Sequence, residues 1–340
     1  MRRNCFFNIC IILFVLLVLG GIGYHLSDKF QRNNVEITDH QLPPDDAEGH
    51  MDESHYNYSS IANSITAGSD SDYKKIRAIY NWICDNIEYD TSFSIYTADD
   101  CYKTKKGVCQ AYCELFYQLA KAVGINTEIV RGLAKDKQGK VNNHAWIKAY
   151  TEDNTGMLLD PTWGAGSVDN GRFIRSNNCW MWFDVSPEWM IFRHFPEEET
   201  NQLLDNPLSM EEFVNLTPAN DLWVEYGLNV HEIFDKARRK ELNLPTFYNG
   251  GEGDFEILDI PMCSYLRLGE TYTFRIRIKS QKYFAIFNNA ELADMNKWED
   301  EGRGVYSINY LVQKGDYLSF CLKNSSSENQ WSTLIKYRIQ

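Results

Sequence analysis

The chain has 340 residues, a formal net charge of −13, an apolar fraction of 44% and an aromatic fraction of 14%. This is the composition of a packed globular protein, and it excludes a chain that is disordered throughout. The negative charge argues against a nucleic-acid partner, because affinity for a phosphate backbone comes largely from clustered Lys and Arg.

The N-terminus combines a basic start with an apolar run. Arg2 and Arg3 precede residues 6–24, where Asn8 is the clearly polar side chain. A bilayer-spanning helix needs about 20 apolar residues, and a cleaved signal peptide has a shorter apolar core. Residues 1–24 are therefore predicted to be a signal anchor or a signal peptide. The basic end would stay in the cytoplasm, so that the folded domains are anchored outside the membrane, or secreted after cleavage.

The remaining chain divides into three predicted regions. Residues 25–54 are polar and acidic, which is typical of a solvated linker. Residues 55–205 are long enough for a catalytic domain, and residues 206–340 would form a smaller neighbour.

The first of these domains shows helices followed by strands. Apolar residues at helical spacing predict an amphipathic helix from Asp72 to near Tyr89, and a second helix over 108–123 that ends before a glycine. Strands are predicted over 127–133, 144–150 and 157–160. This order indicates an α+β fold.

The second domain is predicted to be all-β. Ser209 and Glu212 have the spacing of a capping box, which predicts a short helix at its start. Short runs between turn residues then predict a small immunoglobulin-like β-sandwich. The predicted strands cover residues 255–260, 274–279, 283–287, 305–312, 317–322 and 333–339.

Cys109 follows a basic approach and opens the second predicted helix. The free N–H groups and the positive end of the helix dipole stabilise a thiolate at such a position. The alternative is a cysteine that packs as a small apolar side chain, as buried cysteines commonly do.

His144 and Asp160 stand at the outer ends of two consecutive predicted strands. In a hairpin centred near Glu152, Ala149 and Ile147 run back along residues 155–157, and His144 falls opposite Asp160. A nucleophile, a base and a group that orients the base would then be available in one segment. The alternatives are a structural His–Asp pair, or a register slipped by one residue that separates the two side chains.

A zinc site made by Cys109, Cys113 and His144 is the weaker interpretation. No fourth ligand appears at a familiar spacing. We therefore expect neither a metal nor another cofactor.

Three segments resemble the core of the transglutaminase-like superfamily in content and order. They are residues 106–112 (KGVCQAY), 143–146 (NHAW) and 159–163 (LDPTW). Residues 183–188 (FDVSPE) and 194–196 (HFP) resemble the kyphoscoliosis peptidase-like branch of that superfamily. The resemblance, over about residues 70–205, implies a papain-like α+β fold and a triad of Cys109, His144 and Asp160. It does not imply a substrate, because the superfamily includes proteases, amidases, cross-linking enzymes and inactive binding modules.

Four further residues have less specific predicted roles, and a fifth, Asp184, is considered with one of them. Gln110 is predicted to help bind an oxyanion, or else to face solvent. Trp146 and Trp163 are predicted to wall a substrate groove, with core packing as the alternative. His194 and Asp184 are interpreted as a structural pair.

Six cysteines outside the nucleophile and the apolar run could form disulfide bonds in an extracytoplasmic protein. Cys263 and Cys321 are the first pair to consider, because both lie in the C-terminal region.

Two functions follow. The first is an extracytoplasmic cysteine enzyme that cleaves or transfers amide bonds of a peptide, protein or cell-wall substrate through a thioester on Cys109. The second is a catalytically silent module that binds a wall polymer or a protein partner.

Overall fold

A computed structural model describes residues 55–340, except residues 138, 252, 280–282, 290, 294–297, 326, 328 and 329. The predicted signal anchor and linker lie outside the described residues. Within the described ranges, no helix has the length and apolar character needed to cross a bilayer. The chain divides into two compact units between Phe213 and Val214.

The first unit has its longer helices in its N-terminal half, and an antiparallel sheet with two short helices follows them. Its helices are α1 (Tyr58–Ile65), α2 (Asp72–Asn86), α3 (Ala98–Thr104), α4 (Cys109–Ala122), α5 (Pro161–Ala165) and α6 (Pro187–Met190). Its strands are β1 (Glu88–Tyr89), β2 (Lys106–Gly107), β3 (Thr127–Lys135), β4 (Val141–Tyr150), β5 (Gly156–Leu159), β6 (Gly166–Asp169), β7 (Arg172–Arg175) and β8 (His194–Pro196). Short 3₁₀ turns cover Cys179–Trp182 and Glu199–Gln202. This order confirms the α+β prediction.

The predicted helices α2 and α4 form where the sequence supplies a capping residue or an apolar face. Ser71 caps α2, since its hydroxyl accepts a hydrogen bond from the Lys74 backbone N–H. α4 is the central helix of the core, and its buried side chains include Tyr112 and Phe116. This helix is buried on most of its sides. Its apolar residues therefore cover more of its surface than the narrow apolar stripe of a helix that has one face in solvent.

The sheet of the first unit has the strand order β5-β4-β3-β8, with every neighbouring pair antiparallel. β8 returns to the sheet from a distant part of the chain and pairs with β3, placing Gly132 opposite Pro196. Gly132 also pairs with His144 on β4. The centre of β3 therefore lies between two strands that carry histidines.

The predicted hairpin forms, but its register differs from the predicted one. Ala149 pairs with Met157, and Ile147 pairs with Leu159. The predicted register placed Met157 opposite Ile147, so the pairing is shifted by two residues. The connection at 151–155 is stabilised by Asp153, whose carboxylate accepts hydrogen bonds from Thr151 and Thr155. A shift of two residues keeps each side chain on its predicted face, because strand side chains alternate with a period of two.

α7 (Met210–Asn215) spans the point where the two units divide. Glu212 Oε2 accepts from the Ser209 backbone N–H at 2.8 Å, and the Ser209 hydroxyl accepts from the Glu212 N–H at 3.3 Å. The predicted capping box is confirmed.

The second unit is rich in β-structure. It contains α8 (Leu222–Glu225), α9 (Val230–Arg238), β9 (Thr246–Phe247), β10 (Phe255–Asp259), β11 (Tyr265–Leu266), β12 (Thr271–Ile278), β13 (Tyr283–Asn288), β14 (Glu291–Leu292), β15 (Glu299–Gly302), β16 (Val305–Leu311), β17 (Tyr317–Lys323) and β18 (Ser332–Ile339). One sheet has the order β10-β12-β16-β15, and the other has the order β11-β18-β17-β13-β14, with β9 against β18.

The two sheets of this unit pack through aromatic side chains. Phe274 on β12 lies 4.7 Å from Phe320 on β17, measured between ring centroids, and 5.8 Å from Tyr337 on β18. In the strand predicted over residues 274–279, Phe274, Ile276 and Ile278 are buried, as expected for a strand with one face in the core.

Candidate active site

Cys109 is the first residue of α4, and Val108 is the N-cap residue. No side chain caps this helix end, so the helix N-terminus presents its free N–H groups beside the thiol. β2 leads into it, and Gly107 is required there because a Cβ would lie 2.7 Å from the Cβ of Ala111. Cys109 is 9% exposed.

His144 lies on β4 and faces the same region. Its side chain is buried, and its Nε2 lies 2.7 Å from Asp160 Oδ2. Cys109 lies close enough to the His144 ring to be one of the causes that raise the pKa of His144. The structure therefore brings together the three residues that were predicted to act as a triad.

Asp160 is the N-cap residue of α5 and is completely buried. Its Oδ1 accepts hydrogen bonds from the backbone N–H groups of Thr162 and Trp163 at 2.9 and 3.0 Å. Its Oδ2 faces two histidines, with His144 Nε2 at 2.7 Å and His194 Nε2 at 2.9 Å. Asp160 thus approaches His144 from the start of a helix, and not as a cross-strand neighbour.

His194 is the residue of this cluster that the sequence interpretation missed. The expected pair with Asp184 does not form, because His194 is bonded to Asp160 and the exposed Asp184 interacts with Tyr73. Its segment, residues 194–196, already carried part of the family resemblance. The presence of His194 in that segment was the signal that the sequence offered. It did not indicate that β8 pairs with β3.

A cage of indole rings surrounds His194. The ring centroids of Trp163, Trp146 and Trp182 lie 4.5, 5.0 and 5.2 Å from that of His194. The Nδ1 atom of His194 is buried without a hydrogen-bond partner among the described residues. The cage excludes water from the inner side of the cluster.

The residues predicted to wall a groove or to bind an oxyanion have different environments in the structure. Trp146 is 1% exposed and stacks against His144, so it packs in the core and does not wall an open groove. Trp163 is half-buried and lies 5.5 Å from His144 between ring centroids. Gln110 is 5% exposed, which excludes the solvent-facing alternative, and its amide donates to Glu114 Oε1 at 2.8 Å.

The pKa values of the two histidines are shifted in opposite directions. Burial opposes the charge of His144, but the charge and hydrogen bond of Asp160, with a contribution from Cys109, raise the pKa of His144 to about 10. Burial, together with the nearby charges of His144 and Arg193, lowers the pKa of His194 to about 4. Burial opposes the charge of Asp160 as well, yet its two histidine partners hold the pKa of Asp160 well below its usual range. The cluster thus favours a charged His144 beside a neutral His194.

Tyr89 is a second residue that sequence reasoning did not identify. It lies on β1, which runs parallel to β2, and it pairs with Gly107, two residues before Cys109. Burial and the nearby charge of Cys109 raise the pKa of Tyr89 above its usual range. A neutral phenol therefore lies within electrostatic reach of the thiol.

Among the described residues, His144, Asp160 and His194 form a group that could hold a metal ion, with ligand atoms within 4.8 Å of one another. This is not the cysteine-containing set that the sequence suggested. Two short contacts converge on one carboxylate oxygen. In the hydrogen-bonded state each Nε2 carries a proton where a metal ion would have to bind. The donor set fits the hydrogen-bonded cluster better than a metal site.

Comparison with known proteins supports the resemblance. Residues 59–161 match the model of the Transglutaminase-like superfamily. Over 170 residues, 46% of this chain, the sequence is 30% identical to kyphoscoliosis peptidase of Mus musculus and covers 25% of that protein. The same share of this chain is 29% identical to kyphoscoliosis peptidase of Homo sapiens, again covering 25% of it.

A more distant relative is the Lim and transglutaminase domain protein ltd-1 of Caenorhabditis elegans. It is 22% identical over 193 residues, which are 51% of this chain and 27% of that protein. This chain therefore spans about a quarter of the length of the relatives it matches. It contains a transglutaminase-like domain that is similar to the kyphoscoliosis peptidase branch.

Proposed function

We propose that this transglutaminase-like domain is a cysteine enzyme that acts on amide or peptide bonds through a thioester on Cys109. The observation that carries the proposal is the hydrogen bond from the His144 ring to Asp160, with Cys109 at the first position of α4 and close enough to His144 to raise its pKa. Nucleophile, base and orienting carboxylate in contact are what covalent acyl transfer requires.

The proposed reaction has two halves. His144 holds the proton that Cys109 gives up, in keeping with its raised pKa, and the sulfur attacks the substrate carbonyl carbon as a thiolate. The C–N bond then breaks as His144 returns the proton to the leaving amine, which leaves a thioester. Water completes a hydrolysis, and a second amine completes a transamidation.

Asp160 orients the base in this mechanism. Because Nε2 of His144 is held by Asp160 Oδ2, the ring presents Nδ1 to the thiol. Neutral His194 bonds the same oxygen from the other side and is proposed to be a positioning residue, since it acts through Asp160.

Tyr89 is the side chain that we propose to stabilise the oxyanion together with the Cys109 N–H. It remains a neutral donor within electrostatic reach of Cys109, and an oxyanion site requires a donor of this kind. Gln110 is less suited to this role because its amide already donates to Glu114.

A silent binding module is the competing function. The limited exposure of Cys109, 9%, and of His144, 6%, favours it, because a substrate carbonyl must reach the sulfur. The nearness of Cys109 to the His144 ring, seen in its effect on the pKa of His144, favours the enzyme.

The substrate and location are proposed from the sequence. The apolar, basic N-terminus supports a membrane-anchored or secreted protein with its folded domains outside the membrane. There it would act on an amide of a peptide, a protein or the cell wall, and nucleic acid is not a proposed partner.

The test combines labelling with activity. A cysteine-directed electrophile should modify Cys109 much faster than Cys84, Cys113 or Cys179 near neutral pH, and His144→Gln should remove that preference. Cys109→Ala should abolish hydrolysis or amine incorporation on a panel of peptide substrates. The matched control Cys113→Ala changes the next cysteine of the same helix, which is fully buried. Equal labelling of all thiols, with no acyl adduct trapped on Cys109, would exclude the enzyme.

A further inference from the structure

Arg175, at the end of β7, reaches the C-terminal end of helix α2. Its Nη1 donates to the carbonyl oxygen of Ile87 at 3.2 Å and also to the carbonyl oxygen of Cys84. Both acceptors belong to buried residues, whereas Arg175 itself is exposed. The two hydrogen bonds join segments that are 88 and 91 residues apart in the chain, so the fold creates this contact.

The end of α2 leaves carbonyl groups that need a donor. In a continuing helix, the Cys84 carbonyl would accept from the N–H of Glu88, four residues later. The chain instead leaves α2 after Asn86, and the Glu88 N–H donates to the carbonyl oxygen of Lys105 at 2.9 Å. The last turn of α2 contains no basic residue. Arg175 therefore supplies, from β7, the cation that complements the negative end of the helix dipole.

The hairpin that carries Arg175 is fixed to the segment that begins with Asp160. Asp160 caps α5, β6 follows directly after α5, and Gly166 at the start of β6 pairs with Arg175. The Ser176 N–H donates to the carbonyl oxygen of Ala165, the last residue of α5, at 2.9 Å. Arg175 thus lies at the base of this hairpin, next to α5.

The acceptors of Arg175 lie at the start of β1. Ile87 is the C-cap residue of α2 and immediately precedes β1. Tyr89 on β1 pairs with Gly107, and the Asp90 N–H donates to the Gly107 carbonyl oxygen at 2.9 Å. Because β1 has two residues, its own ladder is a weak constraint on the position of Tyr89.

We propose that Arg175 is a positioning residue, which fixes β1 relative to α5 and thereby holds the Tyr89 phenol in place for the reaction at Cys109. This inference rests on the proposed function, in which Tyr89 stabilises the oxyanion. Arg175 acts through the backbone of Ile87 and not on the reacting atoms. Such support matters because a displacement of about 1 Å in a catalytic group lowers the rate by roughly 100-fold.

The first measurement is amide hydrogen exchange in the full chain, and it needs no catalysis. A Gln side chain at position 175 is too short to reach both carbonyl oxygens. In Arg175→Gln the amides of Glu88 and Asp90, which form the β1–β2 hydrogen bonds, should therefore exchange at least about tenfold faster than in the parent. The amides of the β3–β4 ladder should keep their parent rates, because the change is local.

Two further variants accompany this measurement. Arg172→Gln is the matched control, since Arg172 is an exposed residue at the other end of β7, and it should leave both sets of amides unchanged. Arg175→Lys keeps the charge and one hydrogen bond, so exchange at Glu88 and Asp90 should change in the same direction by a smaller factor.

The second measurement separates positioning from a purely structural role. On a peptide substrate that the parent turns over, Arg175→Gln should lower kcat by about 10–100-fold with KM nearly unchanged, because an oxyanion donor acts in the transition state. In a Tyr89→Phe chain the same substitution should have no further effect on kcat, since its action passes through the phenol.

The outcomes that would overturn the inference are distinct. They are parent exchange rates at Glu88 and Asp90 in Arg175→Gln, faster exchange in β1 and in the β3–β4 ladder alike, or losses of kcat from Arg175→Gln and Tyr89→Phe that simply add. A parent chain without any turnover would count against the proposed function alone, because hydrogen exchange would still decide whether Arg175 holds β1.

Discussion

Four hydrogen-bond donors converge on the carboxylate of Asp160. Two backbone amides occupy Oδ1 and two imidazoles occupy Oδ2. The orientation of this carboxylate is therefore fixed on both sides, which is how it can hold the His144 ring in one orientation. If Asp160 only oriented His144, an Asn at this position would be expected to preserve the fold. The four donors around Asp160 indicate that it would not.

Asp160→Asn should destabilise the protein as well as inactivate it. Whichever way the amide turns, its NH₂ group faces donors and leaves buried groups unpaired, at a cost of about 2–4 kcal/mol. Urea unfolding of the variant should show this loss, together with the loss of selective Cys109 labelling. The control is Asp184→Asn, at an exposed residue with φ 52°, a backbone conformation that Asn tolerates. An Asp160→Asn protein as stable as the parent would contradict the hydrogen-bond assignment.

His194 predicts a dependence of stability on pH. Its pKa falls from the ordinary 6.5 to about 4 in the folded state, so the unfolded chain binds the proton more readily. Stability should therefore decrease as pH falls from about 6.5 to 4, by roughly 3 kcal/mol for this group. His194→Gln keeps a donor for Asp160 and cannot titrate, so its free energy of unfolding should decrease less over that window.

The control for this measurement is His231→Gln, because the side chain of His231 is 71% exposed. It should keep the pH dependence of the parent. Equal slopes for the parent and His194→Gln would show that His194 does not stay neutral on folding.

At the scale of elements, β3 lies between β4 and β8 and allows both histidines to meet Asp160. A Cβ on Gly132 would come within 2.8 Å of Pro196 Cα and 2.9 Å of Trp146 Cη2, and it would also clash with the carbonyl oxygen of Phe195. The backbone atoms of β8 cannot move aside without leaving the sheet. The absence of a side chain at this position is thus a requirement of the site.

Gly132→Ala should displace β8 and with it His194. Overpacking at such a contact costs about 1–3 kcal/mol, and more where backbone must move. Thermal unfolding and Cys109 labelling should both be affected. Gly156→Ala is the matched control in the same sheet, since its new Cβ would meet only side-chain atoms, at 3.3 Å and beyond. If both variants melt like the parent, the close approach of β8 is not a constraint.

The elements also show what the sequence could predict and where it stopped. Cys109 was placed correctly because its helix carries its own periodicity and its glycine approach. His144 and Asp160 were paired despite the shifted register, because a shift of two residues does not change the face. His194, Tyr89 and Gly132 were not found, since their roles depend on pairings between distant segments, β8 with β3 and β1 with β2. Local patterns contain no information about such pairings.

At the scale of the whole molecule, the first unit extends past the predicted boundary at residue 205. Gln202 bonds both backbone groups of Leu208, which is buried. The buried Lys135 donates from Nζ to the carbonyl oxygen of Phe213 at 2.5 Å, and its ammonium lies 4.3 Å from the Phe213 ring centroid. Burial also lowers the pKa of Lys135 to about 8.

The first unit should therefore need α7. A chain of residues 55–217 should fold and label selectively at Cys109, while one of residues 55–206 should be less stable, because Lys135 loses its acceptor and its aromatic neighbour. A buried group without its partner costs about 1–3 kcal/mol. Urea unfolding of the two chains measures the difference. If the shorter chain matches the longer one, the unit ends where the sequence suggested.

The sharing of one carboxylate oxygen by two imidazoles has a consequence for how the site meets its surroundings. The charge on His144 is one of the causes that lower the pKa of His194. His194 therefore binds a proton only in a strongly acidic medium. The first proton is released only near pH 10. Between those limits the number of protons bound by the two rings stays constant, so a change of pH within this range should leave their combined charge unaltered.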